Sequence, residues 1–190
     1  MKICMFGASS NTLRDCYYEQ ARQLGRLIGR RGHTMIFGGG ANGLMGACAR
    51  GVAESGGEVV GVVPRPLSVP AQLYEDSGEI VYTESIAERK QKMVALADAF
   101  VALPGGIGTL DELFDVLTLR QLSLTEKPVV LLNTEGFFAP LDALLRGAAK
   151  EGFLGEDLGA LYTLCDSPEA VLAALEEEQS VRRFSQTAEM

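Results

Sequence analysis

Apolar runs of four to six residues alternate along this chain with longer stretches whose apolar residues recur every three or four positions. Runs of the first kind read as strands buried on both faces, stretches of the second as amphipathic helices. Lys2-Ile3-Cys4-Met5-Phe6-Gly7 opens as a strand and ends in the small polar turn Gly7-Ala8-Ser9-Ser10-Asn11. A helix over about Asp15 to Arg31 follows, with Ala21, Leu24, Leu27 and Ile28 on one face. Thr34-Met35-Ile36-Phe37 is the next strand, and Gly38-Gly39-Gly40-Ala41-Asn42-Gly43 opens a helix reaching about Ser55. Glu58 to Val63 is a third strand. Pro64 to Ser77 is rich in proline and polar residues, a long loop that reads as a lid or contact surface.

A short strand over Glu79 to Tyr82 leads to a helix from Ser85 to Ala97, and Ala99 to Leu103 reads as a buried central strand. A glycine turn then opens a helix ending near Leu122. Pro128 to Asn133 is a strand, Phe138 to Lys150 a helix, and Leu161 to Leu164 the last strand. Ser167-Pro168-Glu169 has the makings of a helix start: a capping serine, proline at the first helical position, then an acid. Strands that are continuous apolar runs, each followed by a helix, predict a mainly parallel sheet covered by helices on both faces, a three-layer α/β fold. No repeat or linker divides it, so residues 1–180 read as one domain and the polar residues 181–190 as a flexible tail.

Composition narrows the chemistry. The 190 residues suffice for one domain with a sizeable core. A formal net charge of −8 argues against nucleic acid or an anionic membrane as partner. No apolar run approaches the ~20 residues of a membrane span. Cys4, Cys16, Cys48 and Cys165 are scattered with no Cys-x-x-Cys pair, as expected of reduced thiols, and the chain opens in a strand with no signal peptide. Together these place the protein in the cytoplasm. His33 is the single histidine and sits in the turn Gly32-His33-Thr34, which reads as a surface position. Multi-histidine metal sites are excluded, and no metal or cofactor is expected.

The chemistry concentrates in Ala102-Leu103-Pro104-Gly105-Gly106-Ile107-Gly108-Thr109-Leu110-Asp111-Glu112. A glycine-rich turn from a strand into a helix lets backbone N–H groups approach an anion, and the helix N-terminus adds a partial positive charge. This is a phosphate cradle with a hydroxyl and a carboxylate, Thr109 and Glu112, at its rim. Thr109-x-x-Glu112 is equally the pattern of a capping box. Gly38 to Gly43 fits G-x-G-x-x-G but follows the second strand, and no acid ends the third. A nicotinamide site is therefore disfavoured; Gly40 reads either as part of a second phosphate site or as a close-packed helix start. Arg89 precedes the strand that leads to the cradle, where a guanidinium could grip phosphate or ribose.

Three segments, in order, resemble the LONELY GUY (LOG) family of cytokinin-activating phosphoribohydrolases, formerly labelled lysine decarboxylases. They are Phe37-Gly38-Gly39-Gly40 through Gly43-Leu44-Met45-Gly46; Glu88-Arg89-Lys90 with Met93; and Pro104-Gly105-Gly106-x-Gly108-Thr109-x-x-Glu112. Gly61-Val62-Val63-Pro64-Arg65 is similar too, and the likeness spans roughly Lys2 to Asp166. The resemblance implies a Rossmann-like fold, homodimers or larger assemblies, and cleavage of the N-glycosidic bond of adenine nucleoside 5′-monophosphates to base and ribose 5-phosphate. It makes Arg89 and Glu112 the catalytic pair. It places substrate contacts at Lys90, Gly106, Ile107, Gly108, Thr109 and Thr118, to which the reading of the turns adds Ser9, Gly40 and Gly105. Four positions depart from the family pattern: Gln72 for an acid, Ile86-Ala87 for Met-His, Ile107 for tyrosine and Leu119 for an aromatic. They surround the base and ribose side, so base preference stays open.

Such cleavage passes through an oxocarbenium-like ribosyl cation, which a carboxylate can stabilise. The alternative is a non-catalytic nucleotide or molybdenum-cofactor carrier of the same fold. A single-stranded DNA-binding relative ranks third, against the acidic charge. Apolar spacing of Ile86, Met93 and Leu96, and of Leu113, Val116, Leu117 and Leu119, predicts a homodimer covering these helices, with burial in the subunit's own core as the competing explanation.

Overall fold

Seven apolar runs pair in parallel into one sheet of order β4-β3-β2-β1-β5-β6-β7. The strands are β1 (Lys2–Phe6), β2 (Thr34–Phe37), β3 (Glu58–Pro64), β4 (Glu79–Thr83), β5 (Ala99–Ala102), β6 (Val129–Leu132) and β7 (Thr163–Cys165). The helices between them are α1 (Asp15–Arg30), α2 (Gly43–Glu54), α3 (Ile86–Leu96), α4 (Ile107–Gln121), α5 (Ala139–Lys150) and α6 (Pro168–Ala188). This computed structural model describes residues 1–68, 73–74, 78–155 and 157–188, with side chains described to residue 180. It is a three-layer, Rossmann-like α/β fold.

The period of two along each strand divides the core. From β1, Ile3 and Met5 face a cluster with Leu24 and Ile28 of α1, Leu44 of α2, and Val171 and Leu175 of α6. Cys4 and Phe6 face the other way, onto Met93 of α3, Leu113 and Val116 of α4, and Phe138. Every residue of β5 and β6 is buried, as expected of strands covered on both sides. Glycines bring α1 and α2 close together: a Cβ at Gly29 would lie 2.7 Å from the Val52 carbonyl oxygen, and one at Gly25 would meet the carbonyl oxygen of Cys48.

Several expectations are corrected. The last strand is Thr163–Cys165, because Leu158–Ala160 forms a 3-10 turn capped by Asp157, whose Oδ1 accepts from Ala160 N at 3.2 Å. The loop after β3 begins with a 3-10 turn, Arg65–Leu67, and Leu73 bridges back to Gly40. Gln72 lies outside the described residues. Helix α6 begins as read, with Ser167 Oγ accepting from Ala170 N at 3.2 Å, but its backbone stays helical to Ala188. Met93, Leu113, Val116 and Leu117 are buried in the subunit's own core, so their apolar spacing marks packing and not an interface.

Candidate functional site

The strand order reverses between β1 and β5, and a crevice opens beyond their C-terminal ends. β1 exits into Gly7-Ala8-Ser9 and β5 into Leu103-Pro104-Gly105-Gly106. The two exits are tied together: Leu103 N donates to Phe6 O at 2.8 Å and Ala8 N to Pro104 O at 3.1 Å. Between them lies a cleft of about 360 Å³. Its polar side is formed by Arg89, Gly106, Gly108, Thr109, Asp111 and Glu112, and its other side by Gly7, Ala8, Ser9, Met45, Leu67 and Ile86.

Helix α4 starts at Ile107 with Gly106 as its cap, and no side chain caps it. The first-turn N–H groups of a helix have no intrahelical acceptor, so this end offers donors and positive potential to an anion. Thr109 is in the first helical turn, buried, and folded back on the glycine turn so closely that a Cβ at Gly105 would strike its hydroxyl. A capping box is therefore not formed: the helix begins too early for Thr109 to cap it, and Glu112 is turned elsewhere.

Glu112 faces Arg89. Ser85 Oγ caps α3 by accepting from Glu88 N at 3.1 Å, which sets Arg89 one turn into the helix beneath β3. Arg89 Nη2 lies 2.7 Å from Glu112 Oε1, and Nε donates to the Val62 carbonyl at 3.3 Å. The two side chains are 17% and 10% exposed. Gly38 makes room for the guanidinium, since a Cβ there would collide with Nη2. Burial raises the Glu112 carboxyl above its ordinary value, and the neighbouring Arg89 only partly offsets this. A buried ion pair of this kind contributes little net stability but is costly to break. Its place in a cleft points to chemistry.

The structure thus brings Ser9, Arg89, Gly106, Gly108, Thr109 and Glu112 to one cleft. Gly105 shapes its turn, and Ile107, 83% exposed, does not line the cleft. Gly40 is not brought there; it pairs with Leu73. The glycine-rich start of α2 closes on protein: Gly43 N donates to Asn11 Oδ1 at 2.9 Å and Leu44 N to Ala8 O at 2.8 Å. Of the two readings of that turn, the close-packed helix start fits. Lys90 and Thr118 lie off the cleft, along a groove of about 650 Å³ between α3 and α4. Lys90 Nζ bonds Asp111 and Asp115, and Thr118 Oγ1 donates to Phe114 O at 2.7 Å.

Sequence reasoning missed Gly38, Asn11 and Asp111. Gly38 stood in the glycine-rich turn and Asp111 shares a helical face with Gly108, but nothing local tied either to Arg89 or to the cleft. His33 sits at the opposite end of β2, its Nδ1 3.3 Å from the N-terminal amine and its Nε2 3.6 Å from Glu176. Among the described residues no cluster of three or more His, Cys, Asp or Glu could hold a metal ion, and no helix is long and apolar enough to cross a membrane.

A helix N-terminus with no side-chain cap beside a buried arginine–carboxylate pair, at the switch point of a parallel sheet, marks an α/β protein of the Rossmann-like class with its candidate site at that point. Known proteins supply the family. The model described as "possible lysine decarboxylase" matches residues 45–175. The cytokinin riboside 5′-monophosphate phosphoribohydrolase LOG of Oryza sativa subsp. japonica is 38% identical over 176 residues, 93% of this chain and 73% of that protein. The phosphoribohydrolase LOG5 of Arabidopsis thaliana is 34% identical over 180 residues, 95% of this chain and 79% of its own length. The chain belongs to this LOG family. Among solved structures, the Moco carrier protein from Chlamydomonas reinhardtii superposes with a TM-score of 0.74 at 22% identity, covering 94% of this chain and 97% of its own. The molybdenum cofactor binding protein from Rippkaea orientalis gives 0.73 at 22%, covering 93% and 95%. At such identity these two share the fold alone.

Proposed function

We propose that this protein hydrolyses the N-glycosidic bond of adenine-type nucleoside 5′-monophosphates, AMP or cytokinin riboside 5′-monophosphates, to the free base and ribose 5-phosphate. The observation that carries the reading is the Arg89–Glu112 pair, 2.7 Å apart, beside the N-terminus of α4. The LOG relatives, named for this reaction, support it.

In this reading the 5′-phosphate docks on the first turn of α4, where Gly106 and Gly108 let the backbone approach. That remote contact fixes the sugar over Glu112. As the bond from C1′ to the base nitrogen breaks, the base leaves with the electron pair and positive charge develops on the ribose ring. The Glu112 carboxylate stabilises that charge and accepts a proton from the water that adds to C1′; the departing base takes up one proton from solvent, and Glu112 returns its own to solvent, so that water is divided between sugar and base. Arg89 holds Glu112 in place. A carrier would have no use for a carboxylate at this position. Nor does the cleft suit the decarboxylation in the family's older description: among the described residues no lysine lines it to form a Schiff base.

The working form is a homodimer in this proposal. Leu124, 69% exposed, lines the α3–α4 groove, and Leu122, 61% exposed, closes the helix α4 that forms one side of it; a partner would cover both. The free cysteines suit a cytoplasmic setting. Adenine release tests the reaction. AMP should be cleaved far faster than adenosine, and Glu112→Gln should bind AMP while losing about two or more orders of magnitude in turnover. Equal rates on the two substrates, or near wild-type turnover by Glu112→Gln, would remove the reading.

A further inference from the structure

The apolar side of the cleft carries two large side chains that the fold leaves uncovered. Leu67 is 59% exposed and Ile86 54%, and both line the cleft that holds Arg89 and Glu112. Each ends a short, anchored run. Leu67 closes the 3-10 turn Arg65–Leu67, which continues directly from Pro64 of β3, and Ser68 N fastens that turn by donating to Arg65 O at 3.2 Å. Ile86 is the first residue of α3, behind the Ser85 cap. β3 and β4 end level, with Pro64 opposite Thr83, so the two runs leave the sheet side by side. They are also tied to each other. Arg65 Nε lies 3.1 Å from Glu84 Oε1, the Arg65 guanidinium sits 5.0 Å from the centre of the Tyr82 ring, and Glu84 N donates to Glu88 Oε2 at 2.8 Å. Leu67 follows Arg65 by two residues and Ile86 follows Glu84 by two, so this bridge sets the spacing of the two apolar side chains.

We propose that Leu67 and Ile86 form an apolar shelf on which the leaving base lies, and that Leu67 is the residue that makes the site favour a two-ring base over a one-ring base. The inference deepens the proposed hydrolysis and rests on a nucleotide occupying the cleft. Arg89, Thr109, Asp111 and Glu112 stand on the other side with the start of α4, where the phosphate and sugar dock in that reading. The base, attached at C1′, is the part of the ligand that remains for the apolar side. Apolar surface gains by being covered in proportion to its area, so a purine, with its second ring, gains more against the shelf than a pyrimidine does. Covering the exposed part of one leucine is worth roughly tenfold in affinity. Ribose 5-phosphate carries no base and is indifferent to Leu67.

Calorimetric titration of Glu112→Gln with AMP, CMP and ribose 5-phosphate reads the shelf without turnover, so its outcome is separate from that of the hydrolysis assay. AMP should bind more tightly than CMP. Adding Leu67→Ala should weaken AMP about tenfold and CMP by less, and should leave ribose 5-phosphate within about twofold. Leu67→Met, of similar volume, should restore AMP. With Glu112 in place, Leu67→Ala should raise KM for AMP while kcat holds, the mark of binding lost equally from ground and transition states. Adenine release absent alongside these affinities would remove the reaction and keep the shelf. Failure of AMP to bind, unchanged AMP affinity in Leu67→Ala, or an equal loss for AMP, CMP and ribose 5-phosphate overturns the inference. So does a fall in oligomer mass with AMP affinity intact, which would assign Leu67 to a subunit interface.

Discussion

Gly38→Ala perturbs the proposed site without replacing either side chain of the Arg89–Glu112 pair. A Cβ at Gly38 would meet Arg89 Nη2 at a forbidden distance and lie 3.3 Å from Cζ and 3.5 Å from Nε. Heavy atoms settle at about 3.5 Å or more, so the guanidinium must retreat by about 1 Å. It cannot retreat without cost, being held by the Val62 carbonyl at 3.3 Å and by Glu112 at 2.7 Å. A displacement of about 1 Å at a catalytic group costs on the order of 10²-fold in rate. Overpacking of this kind destabilises by about 1–3 kcal/mol, or roughly 2–12 °C in Tm for a chain of this size. The proposed phosphate cradle is untouched, so inhibition by ribose 5-phosphate should persist. Gly147→Ala in α5 is the control: its Cβ would meet nothing within 4 Å, and the helix should gain about 0.5–1 kcal/mol. Initial rates of adenine release and thermal melts decide. Wild-type kcat and Tm in Gly38→Ala would show that Arg89 is not fixed by this packing, and the argument for a preset pair would fall.

At the α1–α2 crossing, Gly25→Ala drives a methyl into the Cys48 carbonyl oxygen, backbone that cannot swing aside. It should lower stability by about 1–3 kcal/mol in guanidinium titration while leaving the cleft intact. Because burial raises the Glu112 carboxyl, turnover should fall on the acid side at a midpoint above the ordinary carboxylate value, and Glu112→Gln should abolish that limb. The same shift fixes a sign for stability. The folded chain holds that proton more tightly, so the contribution of Glu112 is full below its ordinary value and is lost as pH rises through the raised one. Urea midpoints across that window should decline less in Glu112→Gln. Light scattering should find a dimer; a fully active species at the 20.3 kDa chain mass would refute the interface.

Most of the fold was legible because its strands are buried on both faces and so read as unbroken apolar runs. The errors came where one physical signal serves two ends. Met93, Leu113 and Val116 are equally apolar whether they meet a partner or their own sheet, and only the packing shows that they meet Phe100 and Phe6. The Arg89–Glu112 pair was visible as two charged residues, but its contact depends on Gly38 and on a backbone carbonyl, Val62 O, which carry no side-chain signature.

The two glycine-rich turns show most directly why a motif needs its surroundings. Gly38 to Gly43 and Gly105 to Gly108 both lead from a strand's end into a helix at the same edge of the sheet, and both could cradle a phosphate by spacing alone. At α2 the glycines are used for closeness to protein. A Cβ at Gly43, which has φ of 64°, would strike the Ala8 carbonyl oxygen, and the helix's leading N–H groups donate to Asn11 Oδ1 and Ala8 O. At α4 a Cβ on Gly106 or Gly108 would meet nothing within 4 Å, and both residues border the cleft. Glycine in the first turn removes a side chain so that the chain can close on itself; in the second it removes one so that something else can come near. The distinction rests on Asn11, a residue 32 positions away from Gly43 that no local pattern would pair with it. Its amide oxygen takes a leading N–H of α2, whereas the start of α4 has no side-chain cap, and the proposed anion site is placed there for that reason.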